Sequence, residues 1–184
     1  MESCISDILE QLLCKEYIVI VRPHPEFIKR FPDKMDEFLN RYREKENESF
    51  LIQMDFSSSE TVYQSDLLIS DWSSIASEFS FATGKPTLFI DTPMKIMNPE
   101  YEKLGIAPFD ITSRNILGRA VSLDSLDSVA DTVAYLLLHA EEYKEKIMTL
   151  RGETIFHFGR NGEIGGEYII KALAKKRKGR KDRL

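Results

Sequence analysis

The sequence is short of cysteine, of basic excess and of long apolar runs, and each shortage removes a class of protein. Its only cysteines, Cys4 and Cys14, are ten residues apart. A helix across them separates the thiols by roughly 15 Å, beyond disulfide reach. No metal-ligand spacing surrounds them, so they read as small apolar residues of a reducing compartment. No signal peptide is recognisable, and no apolar run is long enough to span a bilayer. The net charge of −5 argues against a general nucleic-acid binder, which carries a basic surface. No internal repeat is found.

What is present suits one packed domain. The chain has 184 residues, 42% of them hydrophobic, near the usual ~150-residue domain size. Ile5, Ile8, Leu9, Leu12 and Leu13 fall at helical spacing, with Ser3 or Ser6 available as a cap. Residues 17–21 form a β-branched run that reads as a buried parallel strand. The segment 33–46 places Met35, Phe38, Leu39 and Tyr42 on one helix face. Further strands are expected at 50–54, 67–69 and 87–90. A short helix or turn is expected at 60–64, and a helix at 73–83 with Gly84 as its C-terminal cap. Residues 91–122, with prolines at 93, 99 and 108, read as irregular. Helices are expected at 126–138 and 141–150. A loop at 156–162 then leads into a last helix over 165–175.

Strands alternating with helices imply βα units and a parallel sheet with helices on both faces. Ligands of such sheets sit at the carboxyl ends of the strands. Two segments there carry recognisable chemistry. In Arg22-Pro23-His24-Pro25 the prolines hold the chain extended. They present a guanidinium suited to phosphate and an imidazole suited to proton exchange. The same segment also fits a plain proline-rich turn.

In Ser70-Asp71-Trp72-Ser73-Ser74 a strand end opens a helix, where amides and two hydroxyls can receive a phosphate. Plain capping by Asp71 or Ser73 is the alternative. Glu78 and Asp91 are candidates for ribose hydroxyls, or else a solvated carboxylate and a turn cap. The glycines around His157, Arg160 and Asn161 suit either a ligand loop or simple turns. The basic stretch from Lys171 to Arg183 suits a solvated end or a patch for anionic lipid.

Together these segments carry a likeness. Arg22-Pro23-His24-Pro25 is followed, 45 residues on from Arg22, by Leu67-Leu-Ile-Ser-Asp-Trp-Ser-Ser74 and then by Glu78-Phe-Ser-Phe-Ala-Thr-Gly-Lys-Pro-Thr-Leu-Phe-Ile-Asp91. The pattern resembles the C-terminal half of the CDP-glycerol:polyglycerophosphate glycerophosphotransferases, which build teichoic acids and related surface polymers. The likeness runs over roughly 17–92 and more weakly over the terminal helix. Trp72 replaces the usual tyrosine, and Glu78 stands where aspartate is frequent.

The resemblance implies an α/β, Rossmann-like domain, the C-terminal half of a GT-B architecture. It implies a donor-binding domain over 1–173 and a basic tail over 174–184. It implies His24 as the catalytic residue, and Arg22, Ser73 and Ser74 on the donor phosphates. Glu78 and Asp91 are expected on the nucleotide or ribose, and Asp71 in a structural role. Neither cofactor nor metal is expected. The expected partners are a nucleotide-activated donor, with CDP-glycerol foremost, and a polymer or lipid-linked acceptor held by an N-terminal domain. An anionic membrane surface is a further candidate for the tail, and nucleic acid is not expected. The expected location is cytoplasmic, on the inner face of the cell membrane if the tail binds lipid. Without an acceptor domain, weak donor binding and little turnover are expected. The alternatives are a GT-B enzyme acting on a UDP- or CMP-sugar and a non-catalytic nucleotide-binding remnant.

Overall fold

The computed structural model describes residues 4–94 and 100–181. Side-chain surroundings at 101 and 177–181 are outside that description. Ser3, Pro99 and Arg183, named above, also lie outside the described residues.

The chain divides into two compact units, Met1–Ile147 and Met148–Leu184. The first holds five strands: β1 (Val19–Val21), β2 (Phe50–Ile52), β3 (Leu68–Ser70), β4 (Thr87–Asp91) and β5 (Gly118–Ser122). Its helices are α1 (Ile5–Leu12), α2 (Pro25–Arg30), α3 (Pro32–Tyr42), α4 (Glu60–Gln64), α5 (Ile75–Thr83), α6 (Phe109–Thr112), α7 (Arg114–Leu117) and α8 (Val129–Leu138). Helix α9 (Ala140–Thr154) runs across the division, and α10 (Asn161–Lys181) lies in the second unit.

The fold is α/β with parallel sheets flanked by helices, as a Rossmann-like half domain requires. Hydrogen bonding groups the described strands into two sheets, β1–β2 and β3–β4–β5, each parallel throughout. The two motif-bearing strands, β1 and β3, therefore belong to different sheets.

Helix α1 serves both. Its periodic residues Ile8, Leu9 and Leu12 are buried, and Leu9 joins Val21, Tyr42 and Phe50 in the core over β1–β2. On another side, the Gln11 amide Nε2 donates to the Leu126 carbonyl, and Oε1 accepts from the Ala130 amide at 3.2 Å. That fastens α1 to α8, which packs on β4 and β5. The serine caps expected for α1 are not formed at Ser6: Cys4 stands at the N-cap and makes no side-chain cap bond.

The three-stranded sheet carries the deepest burial. Thr87, Leu88, Phe89 and Ile90 of β4 are all buried, because β4 is the central strand. From α5, Ala76, Phe79, Ser80 and Phe81 are buried, and the Ser80 and Thr87 hydroxyls meet at 3.1 Å in the interior. Gly84 ends α5 with φ 73°, the left-handed conformation that glycine adopts without a Cβ clash.

Three expectations are revised. Residues 118–122, read as irregular, form β5. Helix α3 begins at Pro32 after a separate α2, and the chain tightens into a 3₁₀ turn over Arg43–Lys45. The last helix starts at Asn161 rather than 165 and continues to Lys181. Among the described residues no helix is long and apolar enough to cross a membrane.

Candidate active site

Each motif lies at the carboxyl end of its strand, and each gathers its own surroundings. At the ends of β1 and β2, Pro25 begins α2, where its missing N–H costs nothing, and His24 becomes the N-cap. The His24 Nδ1 accepts from the Glu26 amide at 3.1 Å. In the neutral ring the proton therefore sits on Nε2, and the ring is exposed to solvent. Arg22 donates through Nη2 to the Ser58 carbonyl at 2.7 Å and lies 5.4 Å from the Phe56 ring centroid. Its other terminal nitrogen, Nη1, is buried without a partner. Asp55 is held below the usual carboxylate range by the Ser57 amide and hydroxyl, with Arg22 adding to the effect.

At the ends of β3 and β4, α5 starts without a side-chain cap. Neither Asp71 nor Ser73 caps it. Ser74 occupies the N-cap position, and its hydroxyl donates to Glu78 at 3.2 Å. Glu78 thus places a carboxylate in the first turn, where it competes with any bound anion for the helix's positive end. Asp91 ends β4 and is taken by Arg114 at 2.5 Å. Arg114 is 6% exposed, and its guanidinium carbon lies 3.9 Å from the Trp72 ring centroid. Burial lowers the Arg114 pKa from its usual value, while Asp91 and Asp71 act in the opposite direction. The Trp72 indole N–H donates to the Thr92 carbonyl at 2.7 Å. A small cavity of about 10 Å³ is bounded by Asp71, Ser73, Ser77, Asp110 and Arg114, among others.

The structure therefore brings Asp71, Ser73 and Asp91 together around Arg114, and Arg22 and His24 together at the other motif. No hydrogen bond among the described residues joins His24 to Ser73. The start of α1 approaches both groups. Burial raises the Cys4 pKa first of all, and the Asp71 charge adds to the rise. The next residues, Ile5 and Ser6, share a cavity of about 200 Å³ with Val21 and Pro23 at the end of β1.

Sequence reasoning missed Arg114. It stands in a segment without periodicity, and only the fold sets it beneath Trp72. An arginine placed just before β5 would have been a signal had that strand been recognised. The residues around 156–162 satisfy one another. Arg160 pairs with Glu163 at 3.0 Å, which raises the Arg160 pKa. Asn161 Nδ2 donates to the Phe156 carbonyl at 2.6 Å. His157 and Gly159 adopt positive φ, the geometry of a turn.

A parallel α/β domain with basic groups and a helix start at its strand ends belongs to the Rossmann-like class, whose ligands bind at those ends. Within that class, residues 6–148 match the family model for CDP-glycerol:poly(glycerophosphate) glycerophosphotransferase, and the chain belongs to this family of transferases. No curated protein matches the chain, and no solved structure does.

Proposed function

We propose that this chain is the donor-binding domain of a glycerophosphotransferase that moves glycerol phosphate from CDP-glycerol to a surface-polymer acceptor. One observation carries the reading within the family. Arg22, at the carboxyl end of β1, holds a buried guanidinium nitrogen that has no acceptor. Buried cationic donors call for acceptors, and a diphosphate supplies them with matching charge.

In this reaction an acceptor hydroxyl attacks the β-phosphorus of CDP-glycerol. A new P–O bond forms, the bond to CMP breaks, and the hydroxyl proton passes to a base outside the residues discussed. Charge growing on the departing phosphate is met by Arg22 and the start of α5. The Nε2–H of the neutral His24 donates a hydrogen bond to that phosphate. The Ser73 hydroxyl is assigned to the diphosphate. Ser74 reaches it after leaving Glu78, and Asp91 holds Arg114 rather than a ribose hydroxyl. The acceptor is assigned to a separate domain, and the chain to the inner face of the cell membrane through its basic tail.

A thermal-shift and calorimetric panel of CDP-glycerol, UDP-sugars and CMP-sugars tests the donor. CDP-glycerol is expected to raise the melting temperature most, by mass action on the folded state. A larger rise with a UDP-sugar, or none with any nucleotide, contradicts the proposal.

A further inference from the structure

Arg114 stands outside every motif that carries the family likeness, yet its surroundings are those of a placed functional group. Its guanidinium lies against Trp72 and Phe89, with the carbon 3.9 Å and 4.6 Å from the two ring centroids. Only 7% of the side chain is exposed. Nη2 is occupied by Asp91, while Nη1 is buried and unpartnered. A buried cationic donor without an acceptor is unfavourable, so the arrangement is one acceptor short.

The small cavity walled by Arg114 also touches Ser73 and Ser77 at the uncapped start of α5. The guanidinium and the Ser73 hydroxyl are the donors left for a ligand on this wall, since the Ala76 amide is bonded to the Ser73 carbonyl and the Ser77 hydroxyl to the Ser74 carbonyl. Asp71 and Asp110 on the same wall set a limit on how much negative charge can enter. The volume of about 10 Å³ admits one water-sized oxygen, not a whole phosphate.

We propose that Arg114 is a further contact for the donor's diphosphate, its Nη1 donating to one phosphoryl oxygen that enters this cavity. Trp72, Phe89 and Asp91 hold the guanidinium plane for that contact. The inference rests on the reading that the chain binds a nucleotide diphosphate donor. Lysine cannot replace Arg114, because a single ammonium cannot stack on two rings and serve two acceptors in one plane.

Trp72 is the only tryptophan, so its fluorescence reports on the stacked guanidinium. The test titrates the full chain with inorganic pyrophosphate and with CDP. Wild type is expected to show a saturable change in fluorescence with both. Arg114→Lys and Arg114→Gln, checked as folded by circular dichroism, are expected to raise both midpoints about tenfold or more, the loss of one charge-assisted bond. Asp91→Asn provides the arm that survives if those variants do not fold. Its amide oxygen still accepts from Nη2, so the guanidinium plane stays held, while the competing charge is removed, and it is expected to lower the pyrophosphate midpoint. A purely structural Arg114 leaves that midpoint unchanged or raises it. Folded Arg114 variants with wild-type midpoints, or an Asp91→Asn chain that does not bind more tightly, overturn the inference while the donor reading stands. Wild type that binds neither ligand overturns both.

Discussion

His24 uses its two ring nitrogens on opposite sides. Nδ1 is engaged as the cap of α2, and the neutral tautomer that this selects leaves the Nε2 proton facing outward. The cap and the chemistry can therefore be separated. Asparagine accepts the Glu26 amide as histidine does but does not place the Nε2–H donor where the imidazole holds it. In the complete enzyme, His24→Asn is expected to keep the melting temperature close to wild type, whereas His24→Ala loses about 1 kcal/mol of stability. Both are expected to lower turnover by about 10²-fold or more, with donor affinity changing less. Single-turnover kinetics beside a donor-binding isotherm decide it: turnover retained in His24→Asn removes the imidazole from the reaction. The proline pair around His24 made this residue legible in the sequence. The tautomer was not legible, because it depends on which backbone amide the ring meets.

At the scale of elements, the long periodic segments were readable and the short strands only roughly so. Helix α5 and its glycine cap follow from Ala76, Phe79 and Gly84. Strand β5 did not follow, because Gly118-Arg-Ala-Val-Ser122 has neither an apolar run nor clean alternation. Its place is set by contact with β4. A Cβ added at Gly118 would fall 1.6 Å from the Thr87 carbonyl oxygen, a backbone atom that cannot swing aside. Gly118→Ala is therefore expected to separate β5 from β4 or to cost about 3 kcal/mol or more, the upper range for overpacking. Urea unfolding read by circular dichroism checks this, and a loss under about 1 kcal/mol, the ordinary effect of a point substitution, contradicts the close approach.

For the whole molecule, the match over residues 6–148 ends one residue past the first compact unit, which closes at Ile147. Within the second unit, Tyr168, Ile169, Ile170 and Leu173 of α10 are exposed, and the basic run follows them in sequence. That combination favours an anionic membrane surface, with each basic residue near the lipid worth about 1 kcal/mol. Sedimentation with vesicles containing phosphatidylserine is expected to capture the full chain at low salt and release it at high salt. A chain ending at residue 173 is expected to bind far less while melting at the same temperature. Equal capture of the two chains ends the lipid reading.

Periodicity and punctuation alone determined the class of this protein. Alternating apolar strands and amphipathic helices specify a parallel α/β domain, and the two proline- and serine-marked segments mark its strand ends and carry its resemblance to the family that the match over residues 6–148 shows. These signals are local, so they survive in a linear string. Tertiary structure alone decided that Asp91 meets Arg114, and that β1 and β3 lie in different sheets. Those outcomes depend on packing between residues far apart in the chain, where burial and charge pairing outweigh local preference.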